Sequence, residues 1–301
     1  MRSVPLKLNE LLTEQSNPAS SSIDSLPPAD ILRVINAEDQ RIAEAVEAEI
    51  PRIAAAVDGI VAALQRGGKL FYIGAGTSGR LGVLDAAECP PTFSVPYELI
   101  QGIIAGGESA LSKATEATED DPTMGERDLM SRGFSKADAL VGIAASGRTP
   151  YVLGAIRLAR SLGALTIGIS CTPDSELSRA VDIPIEPLPG PEVVAGSTRM
   201  KAGTATKLVL NMLSTATMIR LGYVYGNLMV NVQPKNHKLA DRAARIIAQA
   251  ANIEYSRAAE LLKQTGSVKT SIVMAKRGLS KEEAEQILES AKGRVRVALE
   301  S

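Results

Sequence analysis

Glycine residues and residues with hydroxyl side chains follow two apolar runs of this sequence, in patterns suited to binding an anion. One run ends in residues 74–80 (GAGTSGR) and the other in residues 145–150 (ASGRTP). Glycine permits tight turns and close approach of the backbone, and the start of a following helix offers unpaired N–H groups to an anion. The residues predicted to bind a phosphate here are Gly76, Thr77, Ser78, Ser146, Gly147, Arg148 and Thr149.

Two other interpretations of these loops remain open. Gly74, Gly76 and Gly79 fit the G-x-G-x-x-G spacing of dinucleotide sites. The acidic residue expected at the end of the next strand is missing, however, because Gly106 and Gly107 stand there and only Glu108 follows. Hydroxyl-rich loops therefore favour a phosphate monoester. Alternatively, the loops are ordinary turns whose Ser and Thr residues cap helices.

These loops must be positioned by the strands and helices around them, which the sequence shows as short apolar runs alternating with helical patterns. Continuous apolar strands separated by helices are typical of a parallel sheet buried on both faces. The sequence therefore predicts an α/β fold, a three-layer α/β/α sandwich with five parallel strands. The predicted strands are residues 69–74, 99–105, 139–145, 164–170 and 181–185.

Three segments are predicted along the chain. Residues 1–65 form a polar arm, up to about residue 28 and without a core of its own, followed by two helices or one helix kinked at Pro51. Residues 66–240 form the α/β domain, with a long helix from about Ser197 to Met218. Residues 241–301 form a small helical subdomain with breaks near Gly266 and Gly278 and a capping box from Ser280 to Glu283.

Composition narrows the function classes. Thirty-three basic residues against 34 acidic ones leave a formal net charge of −1, so nucleic acid and anionic membranes are not expected partners. Aromatic residues make up 3% of the chain, which disfavours stacking sites. Two cysteines and one histidine do not support a disulfide framework or a Cys/His zinc site. With no apolar leader or membrane span, the expected location is the cytoplasm.

The motifs resemble those of a known family. A strand followed by GAGTSGR and a later strand followed by ASGRTP resemble the SIS (sugar isomerase) phosphosugar-binding domain. Residues 190–201 (GPEVVAGSTRMK) resemble the signature shared by N-acetylmuramic acid 6-phosphate etherases and the glucokinase regulatory protein. TEQSNPASSSID, INAEDQRIAEAV and LDAAECPPTF extend the similarity, so the chain resembles the etherase family over essentially its whole length.

This resemblance implies cleavage of the D-lactyl ether at C3 of N-acetylmuramic acid 6-phosphate during cell-wall (peptidoglycan) recycling, with no metal and no cofactor. The implied steps are ring opening, elimination of D-lactate and addition of water, giving N-acetylglucosamine 6-phosphate. Residue by residue, the family's acid matches Glu88 in DAAECPP, and its second catalytic carboxylate matches Glu119 in EATEDD. Glu88 lies among alanines and Cys89, an apolar setting that suits an acid, whereas Glu119 lies beside two aspartates.

Both glutamates are expected to follow helices of about ten residues, roughly 15 Å long, which would carry them away from the phosphate loops. We hypothesise that a homodimer brings an acidic segment of one chain onto the phosphate loops of the other, or that the Glu119 loop folds back as a lid.

The two predicted phosphate loops are expected to face one crevice at the strand ends, and further polar residues are candidates for it. Ser197 and Thr198 begin a predicted helix and would bind phosphate or sugar, or only cap that helix. Arg199 and Lys201 would neutralise phosphate or pair on the surface. Two residues have weaker indications: Glu192, which would act in the site or cap a turn, and His237, whose match to the ring-opening histidine of SIS isomerases is poor.

Three alternatives to the etherase differ in class. A non-catalytic sugar-phosphate sensor that inhibits a partner protein shares the signature, but that regulator has two SIS modules in tandem. An aldose–ketose isomerase is disfavoured because Ala144-Ala145-Ser146 lacks the first hydroxyl of the isomerase Ser-x-Ser. A DNA-binding regulator would need a basic helix-turn-helix, which the sequence does not show.

Overall fold

The computed structural model describes residues 12–113, 118–234 and 236–301. The chain divides into two compact units, one comprising residues up to 87 together with 97–214, and the other comprising 88–96 together with 215–301. Two helices, at residues 76–93 and 201–220, contribute to both units. The three segments predicted from sequence have different bounds, and that division stays a prediction.

The first unit contains a five-stranded parallel sheet, which confirms the predicted fold class and all five predicted strands. Its strands lie in the order β2-β1-β3-β4-β5, and every neighbouring pair is parallel. Their apolar sequences suit a sheet that is covered on both faces. The strands are β1 (Leu70–Gly74), β2 (Ile100–Ile104), β3 (Ala139–Ile143), β4 (Leu165–Ile169) and β5 (Ile183–Ile185).

Helices cover both faces of this sheet, as the three-layer prediction requires. The helices that lie wholly or partly in this unit are α1 (Pro28–Asp39), α2 (Ile42–Glu47), α3 (Ile50–Gln65), α4 (Gly76–Phe93), α5 (Ser109–Ser112), α6 (Pro122–Ser131), α7 (Pro150–Ser161), α8 (Glu176–Ala180) and α9 (Lys201–Arg220). Gly82 of α4 approaches Tyr72 on one face, whereas Gly142 of β3 approaches Val152 and Ile156 of α7 on the other. Successive residues of a strand point to opposite faces, and the central strands β1 and β3 are buried at every residue.

The N-terminal part differs from the sequence expectation. Three helices occupy residues 28–65 instead of two, and Pro51 lies at the start of α3, where a missing N–H costs no hydrogen bond. The preceding residues form 3₁₀ turns at Leu12–Glu14, Pro18–Ser20 and Ile23–Ser25. Three of their polar residues, Thr13, Asn17 and Ser20, are buried, so the described part of the predicted arm packs against the rest of the unit. Residues 1–11 lie outside the described part of the chain.

The second unit is mainly helical and contains a core of its own. Its elements beyond α4 and α9 are β6 (Val224–Tyr225), β7 (Leu228–Met229), α10 (His237–Ala251), α11 (Tyr255–Thr265), α12 (Val268–Arg277), α13 (Lys281–Ser290) and α14 (Val295–Glu300). Gly266 and Gly278 end α11 and α12 with positive φ, and Ser280 and Glu283 form the predicted capping box. Among the described residues, no helix is both long and apolar enough to cross a membrane.

Candidate functional site

The two glycine-containing loops leave adjacent strands at the same edge of the sheet. β1 and β3 are neighbours, and Gly74 at the end of β1 is paired with Ile143 at the end of β3. The chain runs to β2 on one side of β1 and to β4 and β5 on the other side of β3. Such a reversal creates a crevice at the carboxyl ends of the strands, which is where open α/β sheets bind ligands. The sheet therefore brings both predicted phosphate loops to one crevice.

The first loop leads into α4 with open space beside its backbone. α4 begins at Gly76, whose φ is +51°, and a Cβ atom added there would have no neighbour within 4 Å. Thr77 and Ser78 are half-buried in the first turn of the helix, where backbone N–H groups have no acceptor within the helix. This turn can offer N–H groups and two hydroxyls to the same anion.

The second loop is tightly packed at its glycine. The φ of Gly147 is +66°, its N–H donates to the Ala144 carbonyl at 2.8 Å, and its own carbonyl accepts from the Leu177 N–H at 2.8 Å. A Cβ atom added to Gly147 would lie 2.2 Å from both Cβ and Oγ of Ser175. Only glycine fits this position without a shift of the surrounding chain.

α7 begins directly after this second loop. Pro150 occupies the first turn and Thr149 is the N-cap residue, both as predicted from the sequence. The Thr149 side chain, however, makes no capping hydrogen bond. The alternative in which this hydroxyl serves only to cap the helix is therefore wrong.

The signature segment, which we define as residues 190–201, leads into α9. The helix begins at Lys201, so Ser197 and Thr198 lie in the turn before it rather than at its N-cap. Instead, the carboxylate of Glu192 accepts from the backbone N–H groups of Lys201 at 2.8 Å and Ala202 at 3.0 Å. Glu192 is buried, and this burial raises the pKa of its carboxyl, although the two N–H donors act in the opposite direction. Of its two predicted roles, the structure supports capping.

The signature segment and the first loop meet at Gly203 of α9. A Cβ atom added to Gly203 would lie 3.4 Å from Cγ2 of Thr77 and 3.5 Å from the carbonyl oxygen of Thr198. The starts of α4 and α9 therefore approach each other closely. This contact places the Thr198 backbone beside the first predicted phosphate loop.

Five hydroxyls around the crevice have no protein partner in the described part of the chain. They belong to Thr77, Ser78, Thr149, Ser197 and Thr198, and all five residues are half-buried. By contrast, Ser146 Oγ accepts from the Arg148 N–H at 3.4 Å. Hydroxyls left out of the protein's own hydrogen bonds can bond to phosphate or sugar oxygens.

Glu119 lies beside the second loop within a single chain. It occupies a turn before α6, and its carbonyl accepts from the backbone N–H of Tyr151 at 3.1 Å, in the first turn of α7. α6 and α7 pack closely because both have a glycine at the contact. An added Cβ would lie 1.9 Å from the Tyr151 carbonyl oxygen at Gly125, and 2.0 Å from the Pro122 carbonyl oxygen at Gly154.

The position of Glu119 corrects one sequence expectation. The helix before it, α5, has four residues rather than about ten. The carbonyl of Glu119 reaches the start of α7, so this residue is not carried away from the second loop. The Tyr151 hydroxyl supports the same packing by donating to Asp128 Oδ2 at 2.6 Å.

Glu88 differs from its predicted setting. It lies within α4 rather than after it, and its side chain is exposed although the neighbouring Cys89 is buried. The prediction of an apolar environment is therefore wrong for the isolated chain. Glu88 belongs to the second unit, whereas Glu119 belongs to the first.

The structure describes three other candidates, and it contradicts the roles predicted for one of them. Lys201 is buried and pairs with Glu38, so both of its predicted roles, phosphate neutralisation and surface pairing, are wrong. Arg199 is exposed. His237 is the exposed first residue of α10, in the second unit. Sequence reasoning missed Glu38 as the partner of Lys201, because helical spacing of apolar residues gives no signal for a buried pair 163 residues apart.

Comparisons with known proteins agree first on the class of fold. Residues 52–160 match the profile of the glucokinase regulatory protein N-terminal SIS domain, and residues 119–216 match that of the SIS domain. A solved structure from Bacteroides fragilis, described provisionally as a phosphosugar isomerase involved in capsule formation, is 23% identical with a TM-score of 0.50. The alignment covers 65% of this chain and 94% of that one. The first unit is thus a SIS-type α/β domain.

Full-length relatives then define the family. The N-acetylmuramic acid 6-phosphate etherase of Serratia proteamaculans is 52% identical over 295 residues, which cover 98% of this chain and 99% of that protein. The etherase of Rhizobium rhizogenes is 53% identical over 294 residues, covering 97% and 96% respectively. The chain belongs to the N-acetylmuramic acid 6-phosphate etherase family.

Proposed function

We propose that this protein cleaves the D-lactyl ether of N-acetylmuramic acid 6-phosphate, giving N-acetylglucosamine 6-phosphate and D-lactate. The observation that carries this proposal is the 52–53% identity to etherases over nearly the full length of both proteins. The crevice between the β1 and β3 loops supports it, because unpartnered hydroxyls and a helix start are suited to a phosphate monoester.

In this proposal the phosphate binds at the three segments that border the crevice. Gly76, Thr77 and Ser78 contribute from the start of α4, and Ser146 to Thr149 contribute from the second loop. Ser197 and Thr198 complete the site from the signature segment, whose Thr198 carbonyl approaches the same contact at Gly203 as Thr77. Binding the phosphate fixes the sugar and thereby orients its C2 and C3 atoms for the reaction.

The two glutamates have opposite roles in the proposed chemistry. Ring opening exposes an aldehyde at C1, which acidifies the proton on C2. Glu119 removes this proton as the base while Glu88 protonates the departing lactate oxygen, so a C2–C3 double bond forms and the C3–O bond breaks. Water then adds at C3, with its proton returned to C2. The backbone bond from Glu119 to the start of α7 supports a base placed beside the phosphate loops.

The proposal extends to the oligomeric state of the protein and to its cellular compartment. We expect a homodimer, and the backbone bond from Glu119 to the start of α7 supports the alternative in which each chain supplies this residue to its own site. A monomeric variant that keeps full activity would contradict a shared site. A cytoplasmic location is supported by Cys89 and Cys171, which are both buried and form no disulfide with each other.

The test is isotope exchange in heavy water with N-acetylmuramic acid 6-phosphate. Wild type should release lactate and incorporate deuterium at C2. Glu119→Gln should lose both signals, whereas Glu88→Gln should retain exchange at C2 and lose lactate release, each by more than about 100-fold. Glu285→Gln, an exposed glutamate of α13, serves as the matched control and should behave as wild type.

Other outcomes distinguish the alternatives. The reverse pattern in the two variants would exchange the acid and base assignments. A folded wild type that binds N-acetylglucosamine 6-phosphate but releases no lactate would overturn the enzymatic proposal and leave a sugar-phosphate sensor. Formation of a ketose phosphate without lactate would instead indicate an isomerase.

A further inference from the structure

Residues 13–20, which we call the N-terminal segment, hydrogen-bond to the signature segment at three separate points. The Thr13 carbonyl accepts from the Gly196 N–H at 3.1 Å. Asn17 Nδ2 donates to the Pro191 carbonyl at 3.1 Å, and Ser20 Oγ donates to the Val193 carbonyl at 2.8 Å. Thr13, Asn17 and Ser20 are all buried. The contacts therefore reach the signature segment at Pro191, Val193 and Gly196.

A buried ion pair joins the same two segments to α1 and α9. Lys201 Nζ lies 2.5 Å from Glu38 Oε2, with Lys201 only 1% exposed and Glu38 only 5% exposed. Asn17 Nδ2 also donates to Glu38 Oε2 at 2.8 Å, and Lys201 Nζ donates to the Pro191 carbonyl at 3.0 Å. Although burial acts to raise the pKa of Glu38, hydrogen bonds from Lys201 and Asn17 outweigh it and lower that pKa.

The signature segment depends on these contacts for its shape. Residues 190–200 contain no helix or strand, so their buried carbonyls cannot be satisfied by a regular backbone ladder. The side chains of Asn17, Ser20 and Lys201 satisfy those of Pro191 and Val193 instead. Ser197 and Thr198 follow directly in the chain, and their position is set by the backbone that these contacts hold.

We propose that the N-terminal segment and Glu38 hold the signature segment in the conformation that presents Ser197 and Thr198 to the phosphate. Asn17, Ser20 and Glu38 are thus positioning residues that act through the signature segment. This inference rests on the proposed function of the crevice, and it assigns to Asn17, Ser20 and Glu38 a part in substrate binding.

Two serines of the same region allow a matched test. Ser20 Oγ donates to Val193 of the signature segment at 2.8 Å, whereas Ser25 Oγ donates at the same distance to the nearby Ser22 carbonyl. Ser20→Ala should raise KM for N-acetylmuramic acid 6-phosphate about five-fold with kcat changed less than two-fold, since one hydrogen bond to the signature segment is lost. Asn17→Ala loses three bonds, to Pro191, Glu38 and the Ala19 N–H, and should raise KM about ten-fold or more. Ser25→Ala should leave KM unchanged.

The urea midpoint of each variant separates positioning from stability. If Ser20→Ala and Asn17→Ala lower the midpoint but leave KM equal to that of Ser25→Ala, the segment is only structural and the inference is overturned. Variants that are mostly folded at the assay temperature and show the raised KM support it. Should Asn17→Ala fail to fold, Ser20→Ala decides the question by itself.

A binding measurement distinguishes failure of this inference from failure of the proposed function. Calorimetry with N-acetylglucosamine 6-phosphate reports the same ranking of variants without catalysis. If wild type releases no lactate but Ser20→Ala weakens this binding relative to Ser25→Ala, the etherase proposal fails and the positioning role stands. If wild type binds neither sugar phosphate, both are overturned.

Discussion

The two predicted phosphate loops share the tripeptide Ser-Gly-Arg, yet its backbone conformation differs between them. In the first loop residues 78–80 already lie within α4, where Gly79 is buried against Gly74 and Ile104. In the second loop residues 146–148 precede α7, and Gly147 has a positive φ. Similar residues after neighbouring strands therefore do not guarantee the same backbone, because the position of the helix start differs.

Proline explains why the helix starts differ. Pro150 fixes its own φ for a first helical turn and disfavours helical conformation in the residue before it. Thr149 accordingly has φ −56° and ψ 115°, and α7 can begin only after it. No proline stands at the corresponding place in the first loop, so α4 begins at Gly76, before the tripeptide. The first loop is consequently open at its glycine, and the second is packed against Ser175.

The largest expected effect is that of Gly147→Ala. An added methyl group would clash with Ser175 in addition to its cost at positive φ, so the free energy of unfolding should fall by about 4 kcal/mol. Gly163→Ala is the matched control, since Gly163 has φ +79° and open space around an added Cβ. Urea unfolding of the two variants measures the difference. Equal losses would show that the second loop is no more packed than an open turn.

The helix that follows the first loop, α4, contains a titratable carboxyl that is partly removed from solvent. Asp85 of α4 is half-buried and accepts from Ser214 Oγ at 3.1 Å. Burial raises the pKa of its carboxyl to about 6, partly offset by hydrogen bonds from Tyr72 and Ser214. The carboxyl of Asp85 therefore binds a proton more tightly in the folded protein than in the unfolded chain. This protonation stabilises the folded state at low pH, and the stabilisation is lost as the pH rises from about 4 to about 6.

Asp85→Asn should remove that pH dependence, which amounts to roughly 2–3 kcal/mol across this range. Urea midpoints at a series of pH values measure it, with the exposed Asp24→Asn as control. A variant profile parallel to that of wild type would mean that Asp85 ionises normally in the folded protein.

Gly76→Ala should have a smaller effect on folding than Gly147→Ala. Its methyl group would enter open space, so only the positive-φ cost of about 1 kcal/mol is expected, as for Gly163→Ala. The same methyl group should hinder approach of the phosphate, and KM should rise while Gly163→Ala leaves it unchanged. Unchanged KM in Gly76→Ala would place the phosphate away from the first loop.

The smallest expected effect on stability is that of Thr149→Ala. Because this hydroxyl makes no capping bond, unfolding should change by less than about 0.5 kcal/mol while KM rises. Ser280→Ala removes a true capping hydroxyl and should cost about 1 kcal/mol without affecting KM. If both variants lose the same stability, Thr149 is a cap after all.

Much of the scaffold was predictable because its signals are local. Short apolar runs gave the five strands, and glycine and capping residues gave the breaks at Gly266, Gly278 and Ser280. The roles of Ser197 and Thr198 were less accessible. Their sequence suggested a helix start, but the carboxylate of Glu192 caps the helix four residues later than expected.

By itself, the sequence determined the parallel sheet, the edge at which the two loops meet and the family to which the chain belongs. Periodicity, turn residues and motif spacing act over a few neighbouring positions, and these features need nothing more. The tertiary structure alone decided that Glu119 returns to the start of α7, and that Asn17 and Lys201 bond to partners 174 and 163 residues away. Such contacts depend on which surfaces become buried together, since a buried charge or carbonyl must find a partner wherever the fold supplies one.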